Sequence, residues 1–434
     1  MVHDDKPVGL DGVQVRFDDE RVVCDAGVMV VATLALRLGI EALAGDLVRL
    51  RRDRPGAANA GRKVMALVYA MVLGADSIDD TGVLRAGRMG RLLGGWMPAP
   101  STLGTFLRAF TFGHVRQLDA LLGRSIERAW KAGAGPRADR LVIDVDSFVG
   151  EVCGRLKQGA CYGYTRLLGY HPILATRADT RETLHIRLRR GSANTQKGVK
   201  RFIDELIARV DRAGASGVKL LRADSGFWNT KVFERLEQAG WQYSIGVRMI
   251  KTVRAAIEAI DETAWQRIDY PDDGEAQIAE TVYGDRRLIV RRTRLVGAQA
   301  ELWPDWRHFA FITNRPDEIA LVEAEHREHA VVEQVIADLK DQALAHFPSG
   351  DFHANGAWTV LAALAHNMLR WTQLLGLPHT TVRAARTLRR RLIQVPGRLT
   401  RHARGWTLHL PVRWPWHGDY TRALNRIRAL PSPL

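Results

Sequence analysis

Apolar and polar positions follow one period in the first third of the chain and another beyond it. Apolar residues recur at helical spacing over 28–50, 62–73, 82–93, 101–112 and 115–130, broken by Gly and Pro. These runs predict an all-α domain at 28–135, behind a polar arm at 1–27 that holds at most one strand, at 13–17. Ser101 follows Pro98 and Pro100 and is placed to cap a helix over 102–112 that carries Arg108. The run 83–93, the turn Gly94-Gly95 and the helix 102–112 fit a helix-turn-helix as well as a plain bundle. Gly133-Ala-Gly-Pro136 then marks a boundary.

Beyond it the pattern alternates. Strands are expected at 141–146, 170–177 and 183–188, a helix over 195–212 with Phe202, Leu206 and Val210 on one stripe, a strand at 218–222, a helix at 230–239 and a strand at 243–247. The first strand ends in Asp144 and Asp146, and Asp224 follows the fourth. If those strands are neighbours in a mixed sheet, their acids meet at one edge. A carboxylate at the end of a buried strand needs a metal ion, a basic side chain or water beside it, because burying it alone is expensive. A β-rich insertion follows at 250–321, with strands at 276–283, 286–295 and 308–313. Helical texture returns with an amphipathic helix over 325–344 carrying Glu333, Asp338, Lys340 and Asp341, then a helix over 355–375 with Trp358, Leu361, Leu364 and Trp371 as its core face. The expected fold is α+β and multidomain: a mixed-sheet core at 136–249 and 322–376, interrupted by the insertion, preceded by the helical domain and followed by basic helices at 377–434.

Composition sharpens the picture. With 434 residues, 46% of them hydrophobic, the chain can build two or three domains with proper cores. Lys and Arg number 63 against 48 acids, a net charge of +15. Such a balance points to a polyanion, because cationic side chains release counterions from phosphate backbones and Arg forks fit phosphates and guanine edges. The tail from Pro378 holds twelve Arg and one acid, Asp419, interleaved with Trp406, Trp414 and Trp416. It is expected to fold and turn its positive face to phosphates. Cys24, Cys153 and Cys161 show neither zinc spacing nor an even-numbered framework; they fit a reducing cytoplasm, and Cys153 and Cys161 read as core residues. No basic-then-apolar leader and no apolar run of membrane-spanning length is seen, so a soluble, cytoplasmic protein without a membrane partner is expected.

An Asp on the first strand, an Asp after the fourth and a Glu on a late helix form a set of hard oxygen ligands suited to Mg²⁺ or Mn²⁺. Two such ions, about 3.5–4 Å apart, can activate a water or a 3′-hydroxyl and stabilise the leaving oxygen of a phosphodiester. Lys157, Arg189, Arg190, Lys197, Lys200 and Arg201 flank this set in sequence and could hold a backbone.

At this point a resemblance enters. Asp-Ser-Phe at 146–148, Gly-Tyr at 163–164, Gly-Tyr-His-Pro at 169–172, Arg-Gly-Ser-Ala-Asn-Thr at 190–195, Asp-Ser-Gly-Phe-Trp at 224–228 and His-Ala-Val-Val-Glu with Asp-Leu-Lys within 329–340 resemble a bacterial insertion-sequence transposase of the family numbered thirteen-eighty. That family lies within the DDE group, whose catalytic domain is ribonuclease-H-like. Pro-Ser-Thr-Leu-Gly-Thr-Phe-Leu-Arg at 100–108 and Trp-Pro-Trp at 414–416 belong to the same resemblance, which spans nearly the whole chain. It implies that Asp146, Asp224 and Glu333 form the metal-binding triad for two ions. Asp144 is the rival for the first place, and Asp146 is preferred because Ser147 supplies the small residue that follows the acid.

On the last helix of related proteins a Tyr, an Arg, the Glu and a Lys recur; the matching positions here are His326, His329, Glu333 and Lys340, of which only the last two agree. In some relatives the insertion supplies an aromatic wedge for a flipped base, for which Trp303 and Trp306 are candidates by location alone; Tyr162 and Tyr164, near the first strand, fit stacking on DNA and burial in the sheet equally. With Lys340, Arg189, Arg190 and Lys197, the run Arg389, Arg390 and Arg391 completes the expected DNA contacts. The implied function is cleavage at the terminal inverted repeats of a mobile element and transfer into target DNA, by a homodimer on DNA in a bacterial nucleoid. Two other readings stay open: a metal-dependent nuclease or resolvase without strand transfer, and an inactive repressor derived from a transposase.

Overall fold

The computed structural model describes residues 10–51, 53, 55–163, 165–269, 274–295, 306–403 and 405–432. The arm does not form its expected strand at 13–17. Instead β1 (Val22–Val23) pairs with the C-terminal tail. The run 28–50 is two helices, α1 (Val28–Arg37) and α2 (Ile40–Leu47), because Gly39 turns the chain through a left-handed conformation at φ 61°. α3 (Ala60–Leu73) is buried on nearly every side.

Over 82–93 the single expected helix is replaced by a 3-10 stretch, Asp79–Arg85, and one turn, α4 (Met89–Leu92). No regular first helix precedes α5 (Pro100–Arg108), so the helix-turn-helix is not formed. The cap of α5 is Ala99, with Ser101 inside the first turn, because Pro100 brings a preset φ and a missing N–H to a position that needs no donor. α6 (Phe112–Ala129) starts with a reciprocal cap between Thr111 and His114.

The sheet begins with β2 (Leu141–Ser147). Three short strands, β3 (Gly150–Glu151), β4 (Cys161–Tyr162) and β5 (Leu168–Tyr170), form a separate small sheet in the order β3-β5-β4. Pro172, which has no N–H to give a ladder, separates β5 from β6 (Ile173–Arg177) where one strand was expected. β7 (Thr183–Arg187), α7 (Val199–Ala213), β8 (Lys219–Ala223), α8 (Thr230–Gln238) and β9 (Gln242–Gly246) follow. The next segment holds a helix absent from the sequence reading, α9 (Lys251–Glu258), and then β10 (Gln266–Ile268), β11 (Gly274–Tyr283), β12 (Arg286–Leu295) and β13 (Arg307–Thr313).

Apart from those three short strands, β1 and the strands of the tail, every strand joins one nine-stranded mixed sheet, in the order β10-β11-β12-β13-β9-β8-β2-β6-β7. β2, β8 and β9 are mutually parallel, while β6 runs antiparallel to β2 and β7 to β6. Because β13 pairs antiparallel with β9, the β-rich segment widens the central sheet instead of standing apart from it.

The expected helix over 325–344 is broken into α10 (Ile319–Arg327), a 3-10 turn at Glu328–Ala330 and α11 (Val331–Lys340). α12 (Phe352–Gly376) is the pillar of the molecule, buried around its whole circumference between β7 and helices α1, α3, α5 and α6. Its polar residues are spent on the backbone around it. Asn367 brackets Thr183, accepting from its N–H at 2.8 Å and donating to its carbonyl at 2.9 Å, which satisfies an edge of the sheet. Trp371 and Trp130 both donate indole N–H groups to Glu182, which is fully buried.

After α12 come α13 (Ala385–Leu388), a hairpin of β14 (Gly397–His402) and β15 (Gly405–His409), and α14 (His417–Arg428). The tail is therefore not a run of basic helices. One continuous hydrophobic core joins residues of α1–α6, the sheet, α12 and the tail, so the helical segment at 28–135 shares its interior with the rest. Among the described residues no single helix is long and apolar enough to cross a membrane; α1 and α2 qualify only together, and they are bent by 61°.

Candidate active site

The register of β2 and β8 places the first two acids. Asp144 lies opposite Arg222 and Val145 opposite Ala223, so the next residues outward, Asp146 and Asp224, leave the ends of adjacent parallel strands together. Glu333 reaches the same place from the first turn of α11. The Asp146 carboxyl is pushed up to about 6, mainly by burial. The Ser147 amide and His329 oppose this, and the charges of Asp224 and Glu333 add to it. Asp146 accepts from the Ser147 amide at 2.6 Å and Asp224 from the Gly226 amide at 3.0 Å. Among the described residues no Arg or Lys forms an ion pair with either, or with Glu333. In a chain of net charge +15, three acids that repel one another and, among the described residues, have no Arg or Lys as an ion-pair partner form an oxygen donor set that suits a hard divalent ion. Asp224 and Glu333 line a cleft of about 730 Å³ with Arg291, His308, Phe309, Arg327 and His329.

Asp144 plays a different part. It is fully buried and gripped at both oxygens by Arg222, at 2.7 and 2.9 Å. Arg222 also donates to the carbonyls of Glu325, in the last turn of α10, and Glu328, the first residue of the 3-10 turn. One guanidinium thus joins β2, β8 and the break between α10 and α11, and so sets where Glu333 begins its helix. Sequence reading missed Arg222. Its signal was an arginine two positions before Asp224, directly after the apolar pair Leu220-Leu221.

The same break positions the two histidines. His329 Nε2 lies 3.2 Å from the Val145 carbonyl, which accepts from it. His326 stacks on Phe311 with ring centroids 4.0 Å apart and bonds Ser244 Oγ at 2.6 Å. Burial pushes its imidazole down to about 3, so it stays neutral and packs the wall of the cleft.

The remaining sequence candidates divide. Lys340 is exposed at the end of α11 with its ammonium 5.2 Å from the Phe148 ring, beside the acid-bearing strand. Arg190 and Lys197 are exposed. Arg189 is buried, donating to the carbonyls of His171, Asn194, Thr195 and Lys197, so it holds a loop together and is not available to DNA. Arg389 is likewise buried, against Gln342 and Asp341, while Arg390 and Arg391 lie over the Trp416 ring. Lys200 and Arg201 pair with Asp204 and Glu205, and Lys157 donates to the Phe347 carbonyl. Trp306 is covered by Arg292 and Arg294, 4.5 and 4.6 Å from its centroid. Trp303 and Tyr164 lie outside the described residues, and Tyr162 is exposed. Cys153 is exposed and Cys161 half-buried, so neither is a core residue; both sit in or beside the small sheet.

A second cluster has the spacing of a metal site. Asp119, His185 and Glu205 bring one ligand atom each to within 4.8 Å of the others, the one such group among the described residues. Its oxygens are already engaged by cations: Arg116 and Arg209 on Asp119, and Arg116, Arg187 and Arg201 on Glu205. Four guanidiniums against two carboxylates leave no charge for an ion to neutralise. The cluster fastens α6 to β7 and α7.

The chain matches the family model described as Transposase DDE domain group 1 over residues 5–432. No curated protein matches it. Among solved structures it is similar to the piggyBac transposase in a synaptic complex with hairpin DNA, determined by cryo-electron microscopy. The identity is 13% and the TM-score 0.48, over 86% of this chain and 80% of that one. With the family model covering almost every residue, the chain belongs to the Transposase DDE domain group 1 family.

Proposed function

We propose that this protein binds the ends of a mobile element, cuts the DNA there and joins the freed 3′-hydroxyl to a target, using Asp146, Asp224 and Glu333 as its catalytic acids. The observation that carries this reading is the meeting of three carboxylates, none ion-paired to an Arg or Lys among the described residues, where β2 and β8 end beside α11. Mg²⁺ or Mn²⁺, two ions held by these residues, would supply activation of the attacking oxygen and stabilisation of the leaving one. Asp146, the most desolvated of the three, keeps its charge at a cost that a cation removes. Arg222 and Asp144 hold the strand ends and the break before α11 in register. Lys340, and the cleft wall where Arg291 and Arg327 share the single carboxylate of Glu323 and keep a net positive charge, face the phosphates on either side.

The order β7-β6-β2-β8-β9, with the first three strands antiparallel and the last three parallel, supports a ribonuclease-H-like core. The motifs at 146–148, 190–195 and 224–228 support membership of the bacterial insertion-sequence family numbered thirteen-eighty, acting as a dimer that bridges two DNA ends in the cytoplasm.

The test is excision in cells of a marker flanked by the repeats that border the gene, followed by a joining assay with purified protein. Asp146→Asn, Asp224→Asn and Glu333→Gln should each abolish excision while retaining DNA binding. Cutting without joining would replace this reading with a nuclease, and normal excision by Asp146→Asn would remove Asp146 from the site.

A further inference from the structure

The C-terminal hairpin carries chemistry that the active site leaves unused. β14 and β15 pair from Arg398–His409 to His402–Gly405, whereas β1 covers only Gly397 and Arg398, so most of the hairpin stands as a two-stranded ribbon. Its base is fixed to the core. Leu399 is buried, its N–H donates to the Arg21 carbonyl at 2.9 Å, and its carbonyl accepts from Arg88 at 2.6 Å.

Residues directly opposite each other in an antiparallel pair share a face. One face is therefore Leu399 with Leu408 at the base and Arg401 with Trp406 toward the tip, where Arg401 and Arg88 lie 5.8 and 5.7 Å from the indole centroid. The other face is Arg398 with His409, Thr400 with Thr407, and His402 with Gly405. Every side chain on that second face can hydrogen-bond, and all are exposed except the half-buried Thr400. Between Gly397 and Arg413 the sequence contains four Arg, two His and no acid. The nearest countercharge, Asp19, meets Arg398 at 3.4 Å across two exposed side chains, a contact worth little in water.

We propose that the β14–β15 hairpin is a groove-reading ribbon for duplex DNA, with Arg398, Thr400, His402, Thr407 and His409 turned to base edges and the adjoining phosphates. The major groove, about 12 Å wide, admits a two-stranded ribbon, and hydroxyls, imidazoles and an Arg fork suit its donors and acceptors. The anchored base fixes the direction in which the ribbon projects, so it recognises a site instead of only adding charge. The inference rests on the transposase reading for the identity of its partner.

The experiment uses the full chain and duplexes of the element end and of shuffled sequence, with binding followed by fluorescence anisotropy at several salt concentrations. Thr407→Glu should weaken binding to the element end about tenfold or more, and Arg398→Ala should lower the salt slope by about one. Asn425→Glu, an equal change in charge on an exposed position of α14, should alter binding less than about twofold. Melting temperatures of all three should match the intact protein, since the substituted side chains are exposed.

If Thr407→Glu binds as Asn425→Glu does, or if an RNA hairpin outcompetes the duplex, the ribbon proposal is overturned. Asp146→Asn separates the two readings. Lost cleavage in that variant beside normal binding by Thr407→Glu sinks the ribbon and leaves the catalytic reading standing. Lost binding by Thr407→Glu beside intact cleavage by Asp146→Asn does the reverse.

Discussion

Asp144 and Asp146 sit two positions apart on the same face of one strand, yet their surroundings assign them opposite tasks. Asp144 is sealed against Arg222, and removing one partner of a buried ion pair leaves the other uncompensated. Asp144→Asn should therefore lower unfolding free energy by about 3–5 kcal/mol in urea titration, with loss of activity following loss of fold. Asp146→Asn should do the contrary in metal-free buffer, leaving the melting temperature equal or higher because it removes repulsion from Asp224 and Glu333. Mg²⁺ or Mn²⁺ should raise the melting temperature of the intact protein by mass action, and this rise should vanish in Asp146→Asn. A metal-induced shift that survives in the variant would place the ions elsewhere.

At the scale of elements, α12 shows how a fully buried helix manages its polar groups. His366 is completely buried, its Nε2 bonded at 2.8 Å to the Arg181 carbonyl, which accepts, and burial together with nearby Arg370 pushes its imidazole down to about 3. The sign follows from proton binding. Between 6.5 and about 3 the unfolded chain takes up a proton at His366 that the folded chain refuses, so stability falls as pH drops through that window and is complete above it. The slope is about 1.4 kcal/mol per pH unit from this group alone, and His366→Gln should flatten it in acid-unfolding curves. Glu182 anchors a second buried polar cluster against the same helix. Glu182→Leu strands the indole N–H groups of Trp130 and Trp371 and one side of Arg177, and thermal melts should show a loss of at least about 3 kcal/mol.

At the scale of the whole molecule, α12 and the tail make separate expression of the helical segment a stringent test. Because 28–135 buries its apolar faces against α12 and the tail, an isolated 28–135 fragment should show molten or unfolded circular dichroism, whereas an autonomous domain would melt cooperatively. The sequence by itself determined the period of each element and the positions of the acids, since local propensity and alternation act within a few residues. It therefore located β2, β6 to β9, α7, α8 and the positions 146, 224 and 333. It did not determine which of Asp144 and Asp146 is gripped, because both alternate onto one face and only the register with β8 sets Arg222 opposite the first. Nor did it show the break before α11, since apolar spacing continues through 325–344 and the carbonyls captured by Arg222 come from tertiary approach. Arg189 and Arg389 read as free cations because charge is visible in sequence while burial is not. Within the tail, expected as basic helices over 377–434, the stretch that holds β14 and β15 is extended instead. It became a ribbon because β1, more than 370 residues earlier in the chain, supplies the edge on which β14 forms.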